Sequence, residues 1–228
     1  MIGCFVTGTD TGVGKTVATT GLLHALAQHH ARVVGMKAVA AGAEPIGPGG
    51  SLANEDVLAL RAASTLRVPP ELDNPVLLPD PLSPHIAAAR AGTRIDIGAI
   101  VGAYQALAAR ADAVVVEGAG GFHVPLSDTE TGADLAQALG LPVVLVVGLR
   151  LGCLSHAALT AEAIRARGLP LAGWIASRID PHMQAAGDNL DWLRRRLGAP
   201  LLADIPHQCP PDPRTARFAL PEPWTHPA

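Results

Sequence analysis

Residues 8–17 read GTDTGVGKTV and follow directly on the apolar run Ile2–Thr7. Three glycines are crowded into ten residues, and the stretch leads through Lys15 and Thr16 into a helical pattern, Lys15–His29. Glycine weakens regular structure unless the backbone needs a positive φ or must lie close against something. Successive main-chain N–H groups wrapped around a phosphate, at the mouth of a strand-to-helix turn, are such a case. In that arrangement the lysine reaches the terminal phosphates and the hydroxyl residue after it ligates Mg²⁺. Lys15 and Thr16 fit those two roles. The spacing is one residue long, because five residues separate Gly8 from Gly14 where the P-loop pattern has four. Counting from Thr9 restores the interval without its glycine.

The rest of the chain supplies the frame that such a loop needs. Apolar runs of strand length recur at Ile2–Thr7, Arg32–Lys37, Ala113–Glu117, Val143–Val147 and Ala172–Ala176, with a weaker one at Leu201–Ile205. Several are nearly continuous Val, Ile and Leu, the pattern of parallel strands buried on both faces. Helical patterns lie between or beyond them: Asp56–Ala63, Ile97–Arg110, Thr131–Leu139, Ser155–Arg167 and Asp188–Leu197. Strand–helix alternation predicts right-handed crossovers. The expected fold is α/β: a doubly wound, mostly parallel sheet with helices on both faces, of the P-loop NTPase type. One domain is expected over residues 1–228. Ala40–Asn54, rich in Gly and Pro, reads as a mobile loop. The last segment, 206–228, holds seven prolines and reads as a tail lying across the surface or partly disordered.

Composition narrows the function. The 228 residues are 49% apolar, and the net charge is −3 without basic blocks. That argues against disorder and against nucleic acid as a partner. No apolar run reaches the length of a membrane span, and MIGCFVTG at the start lacks a basic signal-peptide segment. Cys4, Cys153 and Cys209 are odd in number and widely spaced, which fits a reduced, cytoplasmic setting.

Two further positions fit phosphate chemistry. Glu117 closes the run Ala113–Glu117 and precedes Gly118-Ala119-Gly120-Gly121, so an acid and an approachable backbone stand at one strand end. An acid there holds the metal directly or through water. Lys37 ends another strand, where open α/β sheets bind ligands. The chain has only two lysines, Lys15 and Lys37, against fifteen arginines, so a compact ammonium is needed at these places. Asp56, in ANEDVLAL, reads either as a second metal ligand or as a helix-cap residue.

Taken in order, these segments resemble the dethiobiotin synthetase family. FVTGTDTGVGKTV (5–17) is similar to its opening, VVGMKAVAAG (33–42) to its lysine strand and SPHIAA (83–88) to its middle helix. VVVEGAGG (114–121) with VPLSD (124–128) resembles its acidic strand and loop. LPVVLVVGLRLGCLSHAAL (141–159) resembles its dimer-contact and substrate-carboxylate region, and LAGWIAS (171–177) the strand that meets the nucleotide base. The resemblance implies that diaminopelargonic acid, CO₂ (or bicarbonate) and ATP give dethiobiotin, ADP and phosphate through a carbamate and a carbamic–phosphoric anhydride. It implies Mg²⁺ on Thr16, Asp56 and Glu117, with Lys15, Lys37 and Thr11 acting on the transferring phosphate. Gly12, Val13, Gly14 and Val17 would complete the nucleotide cradle with Gly118, Ala119 and Gly120, and Ser177, Arg178 and Pro206 would meet the base. Ala41 would stand at the substrate. It also implies a homodimer in which Gly152, Cys153, Leu154 and Ser155 hold the substrate carboxylate, partly across the interface.

Three positions depart from the family pattern. Ala41 replaces a hydroxyl that would touch the substrate, leaving water or Thr7 as substitutes. Gly12 stands where some members have Glu, and Ser177 where Asn commonly contacts adenine, so triphosphates other than ATP are also expected to serve. His85, near a helix N-terminus, reads as structural. Two other readings stay open: a P-loop ATPase switch of the partitioning and cobyrinate-synthase superfamily, and a nucleotide-binding module without activity. A partitioning switch carries an extra lysine five residues before the P-loop lysine, where this chain has Asp10.

Overall fold

Ile2–Gly8 forms the first strand, β1, in which every residue except Gly3 is buried. The computed structural model describes residues 1–46 and 50–226. After β1 come helix α1 (Lys15–Leu26) and strand β2 (Val33–Lys37). A side layer follows: β3 (Val39–Ala41), β4 (Glu44–Ile46), β5 (Ser51–Ala53), α2 (Glu55–Ala63), α3 (Pro70–Asp73), β6 (Val76–Leu78) and α4 (Pro84–Arg90). The chain then alternates through α5 (Ile97–Ala108), β7 (Ala113–Gly121), α6 (Gly132–Leu139), β8 (Val143–Gly148), α7 (Cys153–Ala166), β9 (Leu171–Ser177), α8 (Ala186–Arg196) and β10 (Leu201–Ile205).

The main sheet has six strands in the order β10-β9-β8-β1-β7-β2, and each neighbouring pair is parallel. The chain steps from β1 past β7 to β2, and later returns to the other side of β1. The order therefore reverses at β1, and ligands bind at the carboxyl ends beside such a reversal. The strands are apolar throughout because both faces are covered, and alternate side chains feed different cores. Cys4 and Val6 join Leu22, Leu23 and Leu26 of α1 on one face. Phe5, Val114 and Val116 meet Ile100, Tyr104 and Leu107 of α5 on the other. Leu145 and Trp174 pack with Leu190 and Leu193 beneath α7 and α8.

Three expectations need correction. Residues 40–54 are not wholly a loop. β3 pairs in parallel with β6, and β4 pairs antiparallel with β5; residues 47–49 lie outside the described residues. The β4–β5 pair is stabilised from its base, where Asn54 Nδ2 donates to the carbonyls of Ala41 and Gly42 at 3.1 and 3.3 Å. The cap of α2 is Asn54, whose Oδ1 accepts from the N–H groups of Asp56 and Val57, so Asp56 is not the cap residue. β7 does not end at Glu117 but continues through the glycines to Gly121.

Helix ends shift modestly: α1 stops at Leu26 rather than His29, and α7 begins at Cys153 rather than Ser155. The tail does lie across the surface, but it contains short 3₁₀ turns at Pro213–Thr215 and Glu222–Trp224. Phe218 packs on α1 at Gly21, where a Cβ would come within 2.6 Å of the ring. Trp224 is buried, and its carbonyl lies 2.8 Å from His30 Nε2. Residues 227–228 lie outside the described residues.

Candidate functional site

The loop after β1 turns through Gly12 (φ 74°) and Gly14 (φ 84°) into α1. Gly14 also stands against Ser177, whose Oγ would lie 2.7 Å from any Cβ placed there. The loop thus needs glycine at this position both for its backbone angle and for its neighbour. Val13 is buried beneath the loop. With Val13 anchored there, the N-terminus of α1, with its free N–H groups, opens on a cavity of about 780 Å³.

Among the charged and hydroxyl side chains that line that cavity, five from four elements form one cluster. Lys15 and Thr16 open α1, Lys37 ends β2, Asp56 sits in the first turn of α2, and Glu117 comes from β7. Lys37 and Glu117 are register partners in adjacent strands. Lys37 Nζ donates to Glu117 Oε1 at 2.6 Å and to Asp56 Oδ2 at 2.7 Å. The Thr16 hydroxyl lies 2.7 Å from Asp56 Oδ1 and 3.0 Å from Glu117 Oε1. Lys15 Nζ donates to the Asp10 carbonyl at 3.0 Å.

The electrostatics separate the two lysines. Burial, followed by the like charge of Lys37, lowers the Lys15 ammonium to about 8. Burial also works against the Lys37 charge, but Glu117 and Asp56 outweigh it and hold that pKa above its ordinary value. Asp56 is held low: burial opposes ionisation, and the charge and hydrogen bond of Lys37 prevail. Two ammoniums and two carboxylates sum to no net charge, so an incoming triphosphate calls for an accompanying cation.

The donor set fits Mg²⁺. Glu117 Oε2 is buried without a hydrogen-bond partner among the described residues. Two carboxylates and one hydroxyl are too few for an all-protein cage, and no cluster of three or more His, Cys, Asp or Glu suited to a metal occurs among the described residues. Mg²⁺ commonly combines one or two carboxylates with substrate phosphates and water.

Of the phosphate, metal and lysine positions expected from the sequence, all but Val13 and Gly118 line this cavity. Gly118 instead faces Phe5. Ala41 lines it, and Ser83, ahead of α4, is a lining hydroxyl that sequence reasoning did not single out. Thr7 is buried in β1 and is not among the residues that line the cavity. His85 lies beside a separate cavity of about 400 Å³, its Nδ1 3.1 Å from Ser83 Oγ.

The base and carboxylate positions are not part of the cavity wall. Ser177 ends β9 behind Gly14, and Arg178 is held by Asp204 at 2.8 and 2.7 Å. Pro206 follows β10 and is exposed. At Gly152–Ser155, the first turn of α7, the Cys153 side chain belongs to the core, which leaves the backbone and Ser155 to face outward. Asn74 is a positioning group with no sequence signal beyond its type: it is buried, and its Nδ2 donates to the Lys37 carbonyl at 2.8 Å.

A parallel sheet reversing at β1, with a P-loop at that point, defines a P-loop NTPase-type nucleotide-binding protein. A family model described as an AAA domain matches residues 3–214, and the chain belongs to that family, which includes dethiobiotin synthetase.

Solved structures share the fold at low identity. The MinC:MinD cell division protein complex of Aquifex aeolicus is 19% identical with a TM-score of 0.56, covering 91% of this chain and 82% of that one. The cell division protein FtsY of Thermotoga maritima is 17% identical with a TM-score of 0.54, covering 98% and 67%. A ParA family ATPase of Chlorobium tepidum is 16% identical with a TM-score of 0.51, covering 90% and 85%. No helix among the described residues is long and apolar enough to cross a membrane.

Proposed function

We propose that the protein closes a cyclic urea at the expense of ATP, converting diaminopelargonic acid and CO₂ to dethiobiotin. The observation that carries this reading is Lys37. A second ammonium, beyond the P-loop lysine, is buried at a strand end between two carboxylates and faces the same cavity. Simple nucleotide binding has no need of it, whereas transfer of a phosphoryl group to an anionic carbamate does, because two negative species must approach.

A carbamate oxygen attacks the γ-phosphorus, and the bridging bond to ADP breaks. The second amine then attacks the carbamoyl carbon, a C–N bond forms, the C–O bond to phosphate breaks, and the amine proton leaves with the phosphate or to water. The carbamate is itself the nucleophile, so the protein contributes position and field and no covalent nucleophile. Thr16, Asp56 and Glu117 would hold Mg²⁺, which when bound supplies charge neutralisation on the phosphates. Lys15 and Thr11 hold the nucleotide phosphates. Lys37 turns from its carboxylates toward the carbamate and γ-phosphate.

Support for a homodimer comes from the turn ahead of α7, where Leu151 is 95% exposed, and from Leu159 on the same helix at 62%. In this reading Gly152–Ser155 hold the substrate carboxylate near the interface. Sedimentation at micromolar concentration checks it: an active stable monomer rules the dimer out. A partitioning-type switch is disfavoured because the position of its extra lysine is an acid, Asp10, bound by Arg150. The deciding experiment is phosphate release with product detection. Release that requires both diaminopelargonate and bicarbonate, with dethiobiotin formed, supports the proposal. Release indifferent to both rejects it.

A further inference from the structure

Asp10 is an odd residue to find in a phosphate-binding loop. Its carboxylate is half-exposed, next to Thr11 and Gly12, which line the cavity. Both of its oxygens are engaged. Oδ1 accepts the N–H of Thr11 at 2.7 Å, and Oδ2 accepts from Arg150 at 2.5 Å. The carbonyl of the same residue accepts from Lys15 Nζ. Arg150 comes from the turn between β8 and α7, far away in sequence, and precedes Leu151 and Gly152. The loop is otherwise anchored on either side of this point, by Thr9 N–H to the Val146 carbonyl at 3.0 Å and by buried Val13. Its apex, Thr11–Gly12, is exposed.

We propose that Arg150 is a positioning residue of the nucleotide site. Its guanidinium neutralises and orients the Asp10 carboxylate, and through it the peptide whose carbonyl holds the Lys15 ammonium. Two consequences follow from Coulomb's law and from geometry. Without Arg150 an uncompensated carboxylate repels the incoming triphosphate. The apex peptide also loses its tie to β8–α7, so the loop is less ordered before binding. Arg150 thus serves the phosphates without touching them. The inference rests on the P-loop reading of this site, and not on the identity of the second substrate.

Mg²⁺–ATP affinity measured by calorimetry, with no other substrate present, tests it, so its failure is distinct from failure of the cyclo-ligase reading. Arg150→Ala is expected to weaken binding about tenfold, while Arg150→Lys, which keeps the charge, recovers part of that loss. Adding Asp10→Asn to Arg150→Ala removes the stranded charge and recovers most of it. Such second-site rescue is the readout that a merely structural arginine does not produce. The pair is too exposed to carry much stability, so the thermal midpoint should move little. Parental affinity in Arg150→Ala overturns the proposal, as does a double variant that binds as weakly as the single one.

Discussion

The two ends of the proposed nucleotide site are built on opposite plans. At the phosphate end Lys15, Lys37 and Glu117 are buried; Lys37 of β2 and Glu117 of β7 hold each other and are joined by Asp56 and Thr16, while the Lys15 ammonium donates to the Asp10 carbonyl. At the base end stand the single hydroxyl of Ser177 and Arg178, whose Nε and terminal nitrogen are taken by Asp204. His207 Nδ1 lies against the Arg178 carbonyl at 3.1 Å. The first end is rigid and electrostatic. The second offers little donor–acceptor pattern to tell one base from another. Affinity and chemistry are therefore expected to come from the phosphates, with the base adding little.

The strongest test of this contrast is Lys15→Ala. It should weaken nucleotide binding and slow transfer together, lowering kcat/KM by about 10³ or more. Calorimetry beside single-turnover phosphate release measures both, and intact nucleotide affinity would remove Lys15 from the cradle. Lys37→Ala comes next: kcat should fall by roughly 10²–10³ with nucleotide affinity nearly intact, and Lys37→Arg should not rescue, since a planar fork cannot replace a compact ammonium. The alanine variant also strands buried Glu117, at a cost of about 3–5 kcal/mol, so its thermal midpoint must be read alongside. Normal turnover in Lys37→Ala would return that lysine to a structural role.

A smaller effect should follow pH. The Lys15 pKa is lowered to about 8 by burial and by the charge of Lys37. Below that value the ammonium is charged and phosphate affinity is full. Above it the folded protein has released the proton, so binding must take one up, and affinity should fall by up to about tenfold per pH unit. Between there and the ordinary lysine value the unfolded chain binds more protons than the folded one, so this group makes the empty protein more stable as pH rises. Calorimetry in buffers of different ionisation enthalpy counts the proton, and no uptake at pH 9 would contradict the lowered value. The smallest effect belongs to the base end. Exchanging ATP for CTP or GTP should change kcat/KM by about tenfold or less, because a two-handed amide worth about 1–3 kcal/mol is absent at Ser177. A thousandfold preference for ATP would show that another group reads the base.

The same contrast divides what the sequence alone revealed. The phosphate end was legible because local rules govern it: glycines that permit positive φ, a lysine and hydroxyl at a helix start, and apolar runs that end in Lys37 and Glu117. The segment 40–54 was not legible. Its Gly and Pro content describes a loop, while β3 and the β4–β5 pair form through pairing with β6 and through Asn54. A short strand with no amphipathic period leaves no one-dimensional signal.

The sequence by itself determined the α/β alternation, the position of the phosphate loop after β1, and the scarcity of lysine that marked Lys15 and Lys37. Only the tertiary structure decided that Lys37 lies between Asp56 and Glu117, that Glu117 keeps one buried oxygen unpartnered among the described residues, and that Arg150 holds Asp10. The physical reason is range. Backbone preference and hydrophobic period act over a few residues and can be read along the chain. Ion pairs between residues 19, 80 and 140 positions apart exist only once the parallel strands have set their register and brought those ends together.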